Sequence, residues 1–239
     1  VGFFIAQPID AYWGQILNAF NQDLIGNFDM TLGYRTPQWP SDRVKALMYH
    51  EFAHAAHFNK VGQAWWNEFV YAVSFTIGSN PPNLEPYGDG NDGIISDYIS
   101  VAESWAEHLG RTMTDMQYGG TSTGFREQGV DYFNNTPVFG LSSHLNWLED
   151  FSPFRINDDP FAWIPVGLYR DLIDDRNDAT AVPLRVFLND FVLGFTNQQL
   201  FNALDNDVTS IQLYRQRLIG ENPNNQTAAV NQLFTEYGF

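Results

Sequence analysis

"LMYHEFAHAAHFNKVG", residues 47–62, places three of the chain's five histidines within eight positions. On a helix each residue advances by about 100°. With His50 taken as zero, His54 falls at about 40° and His57 at about −20°, so the three imidazoles share one face. Glu51 stands about 100° round, beside that face. Val44, Leu47, Ala55 and Phe58 give the same helix an apolar stripe to bury. Upstream, "TPQWPSD" reads as a loop ending in a helix start, with Ser41 as N-cap after Pro40 and Asp42 in the first turn. The helix is expected to run to about residue 59, with Gly62 as its stop.

Working outward, "VGFFIA" (1–6) and "FDMTLGYR" (28–35) are the strand candidates. In the second, Phe28, Met30, Leu32 and Tyr34 alternate with Asp29, Thr31, Gly33 and Arg35, a period of two. A helix over 10–24 lies between them, with Tyr12, Ile16 and Phe20 on one stripe. "AWWNEFVYAVSFTIG" (64–78) reads as a helix closed by Gly78, and "SNPPNLEPYGDGNDG" (79–93) as a loop. A long helix follows from about Ser96. Further helices are expected near 142–150, 160–175, 185–193, 196–205, 208–219 and 226–236, with Thr196 and Thr209 as caps. The pattern is mainly α (α+β), a single domain over 1–239 with a small N-terminal sheet and a helical C-terminal half. Its N-terminal part, about 1–60, ends in the histidine helix, and a helical part spans about 61–239.

Composition narrows the function. Twenty-eight acidic against twelve basic residues leave a formal charge of −16, a surface that repels phosphate backbones, so nucleic acid is not the expected partner. With no cysteine, any metal must be held by nitrogen and oxygen ligands. The apolar runs are too short to span a bilayer. The chain opens on Val1 without a signal-peptide pattern, as expected of a processed chain with residues upstream. An acidic, cysteine-free, Asn- and aromatic-rich chain of this kind is expected outside the cytoplasm, as a secreted, periplasmic or envelope-attached bacterial protein.

His50 and His54 with Glu51 form H-E-x-x-H, in which two imidazoles one turn apart reach one zinc ion and the adjacent Glu can hydrogen-bond a metal-bound water. A catalytic site needs a third ligand. His57 lies about 10 Å along the axis from His50, too far to join the same ion, and "HEFAHAAHFNK" lacks the glycine turn of H-E-x-x-H-x-x-G-x-x-H. The stretch "SVAESWAEHLG" (100–110) offers Glu103 and Glu107 one turn apart on one face, with His108 about 140° from Glu103. Glu103 is the expected ligand and Glu107 the expected acceptor of a ligating histidine's second N–H, with Glu107 as the competing third ligand. Ala53, Ala102 and Ala106 are small enough for the two helices to approach closely. His57 is expected in the second shell or in the pocket wall.

"HEFAH" followed downstream by "ESWAE" resembles the gluzincin class of zinc metallopeptidases, the thermolysin-like zincins, over about residues 40–110. The resemblance implies a zincin-like catalytic domain with His50, His54 and Glu103 as zinc ligands and Glu51 as general base. It also implies that a peptide or protein substrate docks along the strand at 28–35. Glu107 stands where the class more often has Asp. An oxyanion-stabilising donor is expected among Tyr98, Tyr118, Arg126 and His144, with Tyr98 and His144 carried forward as the catalytic candidates.

Three other readings compete. A catalytically silent zinc domain could recognise a protein or glycan partner through the aromatic-rich second half, as in "NWLEDF" and "DPFAWIPVGLYRDLIDD". A di-iron carboxylate bundle would need a second E-x-x-H, where the later helix has E-x-x-A. A calcium loop in "DGNDGIISD" (89–97) has its glycine one position early, and a tight turn before the Glu103 helix explains it equally well.

Overall fold

The computed structural model describes residues 41–79, 87–88, 90–119, 148, 163–174, 190–223 and 226–239. Its elements are helices: α1 (Ser41–Val61), α2 (Gln63–Ser79), α3 (Ile94–Tyr118), α4 (Leu168–Asp171), α5 (Asn197–Asn202), α6 (Ile211–Glu221) and α7 (Thr227–Glu236). Among the described residues there is no strand, and the protein is mainly α as expected. The two strand candidates and the helix at 10–24 lie outside the described residues.

α1 and α3 form the central pair. Ala46 lies beside Gly110, His50 beside Glu107 and Glu103, and His54 beside Glu103. As the number rises along one helix it falls along the other, so the two run antiparallel. Tyr49 closes the far end by donating to Gln117 Oε1 at 2.8 Å. Gly110 makes the approach possible: a Cβ there would stand 2.9 Å from the Ala46 carbonyl oxygen and 3.1 Å from His50 Cβ. α1 ends where Gly62, at φ 84°, donates its N–H to the Phe58 carbonyl.

α3 is buried along both sides. Away from α1, Trp105 stacks on Phe201 at 5.4 Å and meets Tyr169 edge-on at 5.4 Å. Tyr169 in turn packs on Tyr214 at 5.1 Å. Leu168, Leu200, Leu204, Leu218, Leu233 and Phe234 complete a continuous apolar core. Two buried polar tips are matched within it: Trp65 donates to the Val208 carbonyl at 2.9 Å, and Tyr237 to Asp171 at 2.6 Å. Among described residues of the aromatic-rich second half, Tyr169, Tyr214, Phe234 and Tyr237 are therefore core, which removes them from any partner-facing surface.

Several boundaries differ from expectation. α2 continues through Gly78 to Ser79. Within the expected helix at 160–175, the described residues 163–174 hold a single turn at Leu168–Asp171, because "WIPVG" places Pro165 and Gly167 before it. Residues 190–193, the described end of the expected helix at 185–193, are irregular, and Gly194 follows at φ 81°. Thr196 caps α5 through a capping box with Gln199, as expected. The cap of α6 is Ser210, whose hydroxyl accepts from Leu213 N–H, in place of Thr209. No helix among the described residues is long and apolar enough to cross a membrane.

Candidate metal centre

α1 presents His50, Glu51, His54 and His57, and α3 presents Glu103 and Glu107 across the antiparallel interface. His50 Nε2 and His54 Nε2 lie 3.1 Å apart. Glu103 meets both, with Oε2 3.3 Å from His50 Nε2 and Oε1 3.5 Å from His54 Nε2. These three residues form a group able to hold a metal ion, with one donor atom from each lying within 4.8 Å of the others. Ligand bonds of about 2.0–2.1 Å at tetrahedral angles put neighbouring donors about 3.3 Å apart. The 3.1 Å between the two Nε2 atoms is close to that edge length, each nitrogen meets a different Glu103 oxygen, and the nitrogen and carboxylate donors suit a borderline cation such as zinc.

The surroundings favour positive charge. Burial works against a proton on His50, yet its hydrogen bonds to Glu103 and Glu107, with the nearby Glu51 charge, push its pKa up to about 10. Burial likewise opposes ionisation of Glu103, and the neighbouring His54 and His50 outweigh it, holding the carboxyl well below the usual carboxylate range. Glu107 is held down to about 2: burial opposes its ionisation, and Arg111 and His50 more than offset that.

The expected roles divide as follows. Glu107 Oε2 lies 3.3 Å from His50 Nδ1, the position of a carboxylate that orients a ligating histidine through its far nitrogen. Glu103, not Glu107, is the carboxylate that faces both Nε2 atoms. Glu51 is 3 % exposed, and its Oε2 has no hydrogen-bond partner among the described residues. A buried carboxylate oxygen left in that state is costly unless something binds there. His57 is fully buried beside Trp65 at 4.6 Å and Trp66 at 5.8 Å. Neither of its ring nitrogens makes a hydrogen bond among the described residues, so it serves as wall rather than as a polar support. Burial, with His54 and Lys60 nearby, lowers its pKa to about 3.

Tyr98 lies on α3 about 140° round from Glu103, and its ring meets Trp65 edge-on at 4.9 Å. The Tyr118 ring lies under the Lys45 ammonium at 5.3 Å. His144 and Arg126 lie outside the described residues. His108 points away from the centre, as its spacing requires, with Nε2 2.7 Å from Asn197 Oδ1. Residues 90–93 of "DGNDG" lead into α3. Trp163 donates to the Gly88 carbonyl at 3.0 Å, and a Cβ on Gly90 would stand 2.7 Å from the Trp163 ring.

Two residues of the centre escaped the sequence reading. Arg111 is buried and ion-paired with Glu107, and Gly110 sits at the helix crossing. Each had a signal: Arg111 stands four residues after an acid on a helix, and Gly110 interrupts an otherwise strong helical pattern. Comparison with family models, with curated proteins and with solved structures gives no match.

Proposed function

We propose that the chain is a zinc-dependent hydrolase, a peptidase of zincin-like architecture, with His50, His54 and Glu103 as ligands. The observation that carries the reading is the convergence of His50 Nε2, His54 Nε2 and the Glu103 carboxylate within ligand-sphere distance, beside a buried Glu51 oxygen that makes no hydrogen bond among the described residues. Zinc, when bound, supplies Lewis acidity that polarises a scissile carbonyl and acidifies water.

This chain's residues supply the rest. Glu51 accepts the proton of the attacking water and returns it to the leaving amine. Glu107 keeps His50 oriented through Nδ1. His57, Trp65, Trp66 and Phe69 form an aromatic wall behind His54, with the His54 ring 5.5 Å from Trp66 and 5.8 Å from Phe69. That wall keeps water from the buried side of the centre. The stretch at 28–35, a strand candidate on its sequence alternation, is the proposed docking edge for a peptide.

Glu51→Gln tests the reading. The variant is expected to take up one zinc per chain like the parent, while cleavage of a diverse peptide library falls by about 100-fold or more, the scale of a lost general base. Undiminished cleavage would remove Glu51 from the mechanism. A parent protein that binds zinc and cleaves nothing would favour the silent zinc domain instead.

A further inference from the structure

The two oxygens of the Glu107 carboxylate are held by different partners. Oε2 lies 3.3 Å from His50 Nδ1, and Oε1 accepts from Arg111 Nε one helical turn on. The Arg111 side chain is 2 % exposed, so a guanidinium has been brought into the interior at this point. A burial of that kind is costly unless the charge is paired and directed.

The terminal torsion of a Glu is broad and close to two-fold, so a carboxylate gripped at one oxygen can still turn. One gripped at both oxygens cannot. Arginine suits the task because its planar fork fixes the direction of its N–H bonds, where an ammonium swivels. The helix sets the reach, since residues four apart are neighbours on its surface. The close approach at Gly110 brings His50 within range of the same carboxylate.

We propose that Arg111 is a positioning residue of the metal centre: by holding Glu107 Oε1 it aims Oε2 at His50 Nδ1, and so keeps His50 in the tautomer whose Nε2 faces His54 and Glu103. The proposal rests on the reading of His50, His54 and Glu103 as a metal site. Arg111 is assigned a role through Glu107 and not as a ligand.

The experiment is a double-mutant cycle on the full chain, with zinc affinity measured by competition against a chromogenic chelator. Arg111→Met is expected to weaken zinc binding by about 10- to 100-fold when Glu107 is present. In a Glu107→Ala background the same change is expected to cost no more than about threefold, because the pair acts as a unit. In the zinc-loaded protein the His50 Nδ1–H resonance, protected in the parent, is expected to exchange with solvent in Arg111→Met.

Should Arg111→Met not fold, Arg111→Lys decides. It retains the buried charge and is expected to show a smaller loss, again confined to the background that keeps Glu107. Equal affinities throughout, or equal losses in both backgrounds, would make Arg111 a packing residue and overturn the proposal while the metal reading stands. A parent chain that takes up no zinc would overturn both.

Discussion

Gly110 touches His50 across the crossing of α1 and α3, where a Cβ on the glycine would stand 3.1 Å from His50 Cβ and 3.2 Å from its backbone nitrogen. The contact decides how near the two helices lie, and therefore whether carboxylates on one reach imidazoles on the other. Replacing Gly110 by Ala should gain about 1 kcal/mol of helix propensity. The added methyl also meets the Ala46 carbonyl oxygen at 2.9 Å, which is backbone and cannot swing aside. Overpacking of that kind costs about 1–3 kcal/mol. Gly110→Ala is expected to lower stability by about 1 kcal/mol net and to weaken zinc uptake. Urea unfolding and chelator competition measure the two effects, and a stabilised variant with parental zinc affinity would contradict the crossing geometry.

Glu103 and Glu107 are separated by the atoms they face. Glu107→Ala is expected to weaken zinc binding by about 10- to 100-fold, as loss of an outer partner does, whereas Glu103→Ala should abolish it at micromolar zinc. The reverse order in a titration of both variants would exchange their roles.

Acid should destabilise the fold through its buried neutral histidines. Burial lowers the pKa of His108 to about 4, with the Asn197 hydrogen bond opposing and the Arg170 charge adding to the shift; around its ring stand Trp105 on α3 and Tyr169 on α4. In the unfolded chain the same imidazole titrates near 6.5. Between those values the unfolded state binds the extra proton, so unfolding free energy falls as pH drops from about 6.5 toward 4. His57, lowered to about 3, adds in the same direction. Denaturant midpoints measured across this range should lose about one proton's worth of slope in His108→Gln. An unchanged slope would place His108 in contact with water.

The start of α6 gives a local test. Ser210→Ala removes the hydroxyl that accepts from Leu213 N–H and should cost about 1 kcal/mol, with Thr209→Ala near neutral. Equal losses in thermal melts would return the cap to Thr209.

Much of the centre was legible in the sequence because it depends on helical periodicity alone. His50, His54 and Glu51 take their relation from one helix, and Glu103, Glu107 and the outward-pointing His108 take theirs from another. Which carboxylate faces both imidazoles depends on how the helices cross, and that is set by Gly110 against Ala46, a contact between positions far apart in the chain. The interior role of Arg111 was hidden for the same reason, since an i,i+4 pair on an exposed helix face looks identical. The single-turn α4 and the irregular residues 190–193 carry apolar residues at helix-compatible spacing, and Pro165 and Gly167 override it ahead of α4.

The donors of the candidate centre come from two stretches of chain separated by α2 and residues 80–93, so an unfolded polypeptide can offer an ion little more than the H-E-x-x-H pair. On the proposed metal reading, zinc would act as a clasp that closes only when α1 and α3 have docked. Mass action turns that into a thermal signature, since free zinc at a hundred times its dissociation constant would add about 2.7 kcal/mol to the folded state. On that reading, metal supply would control how much of the chain survives proteolysis, as well as whether it can act.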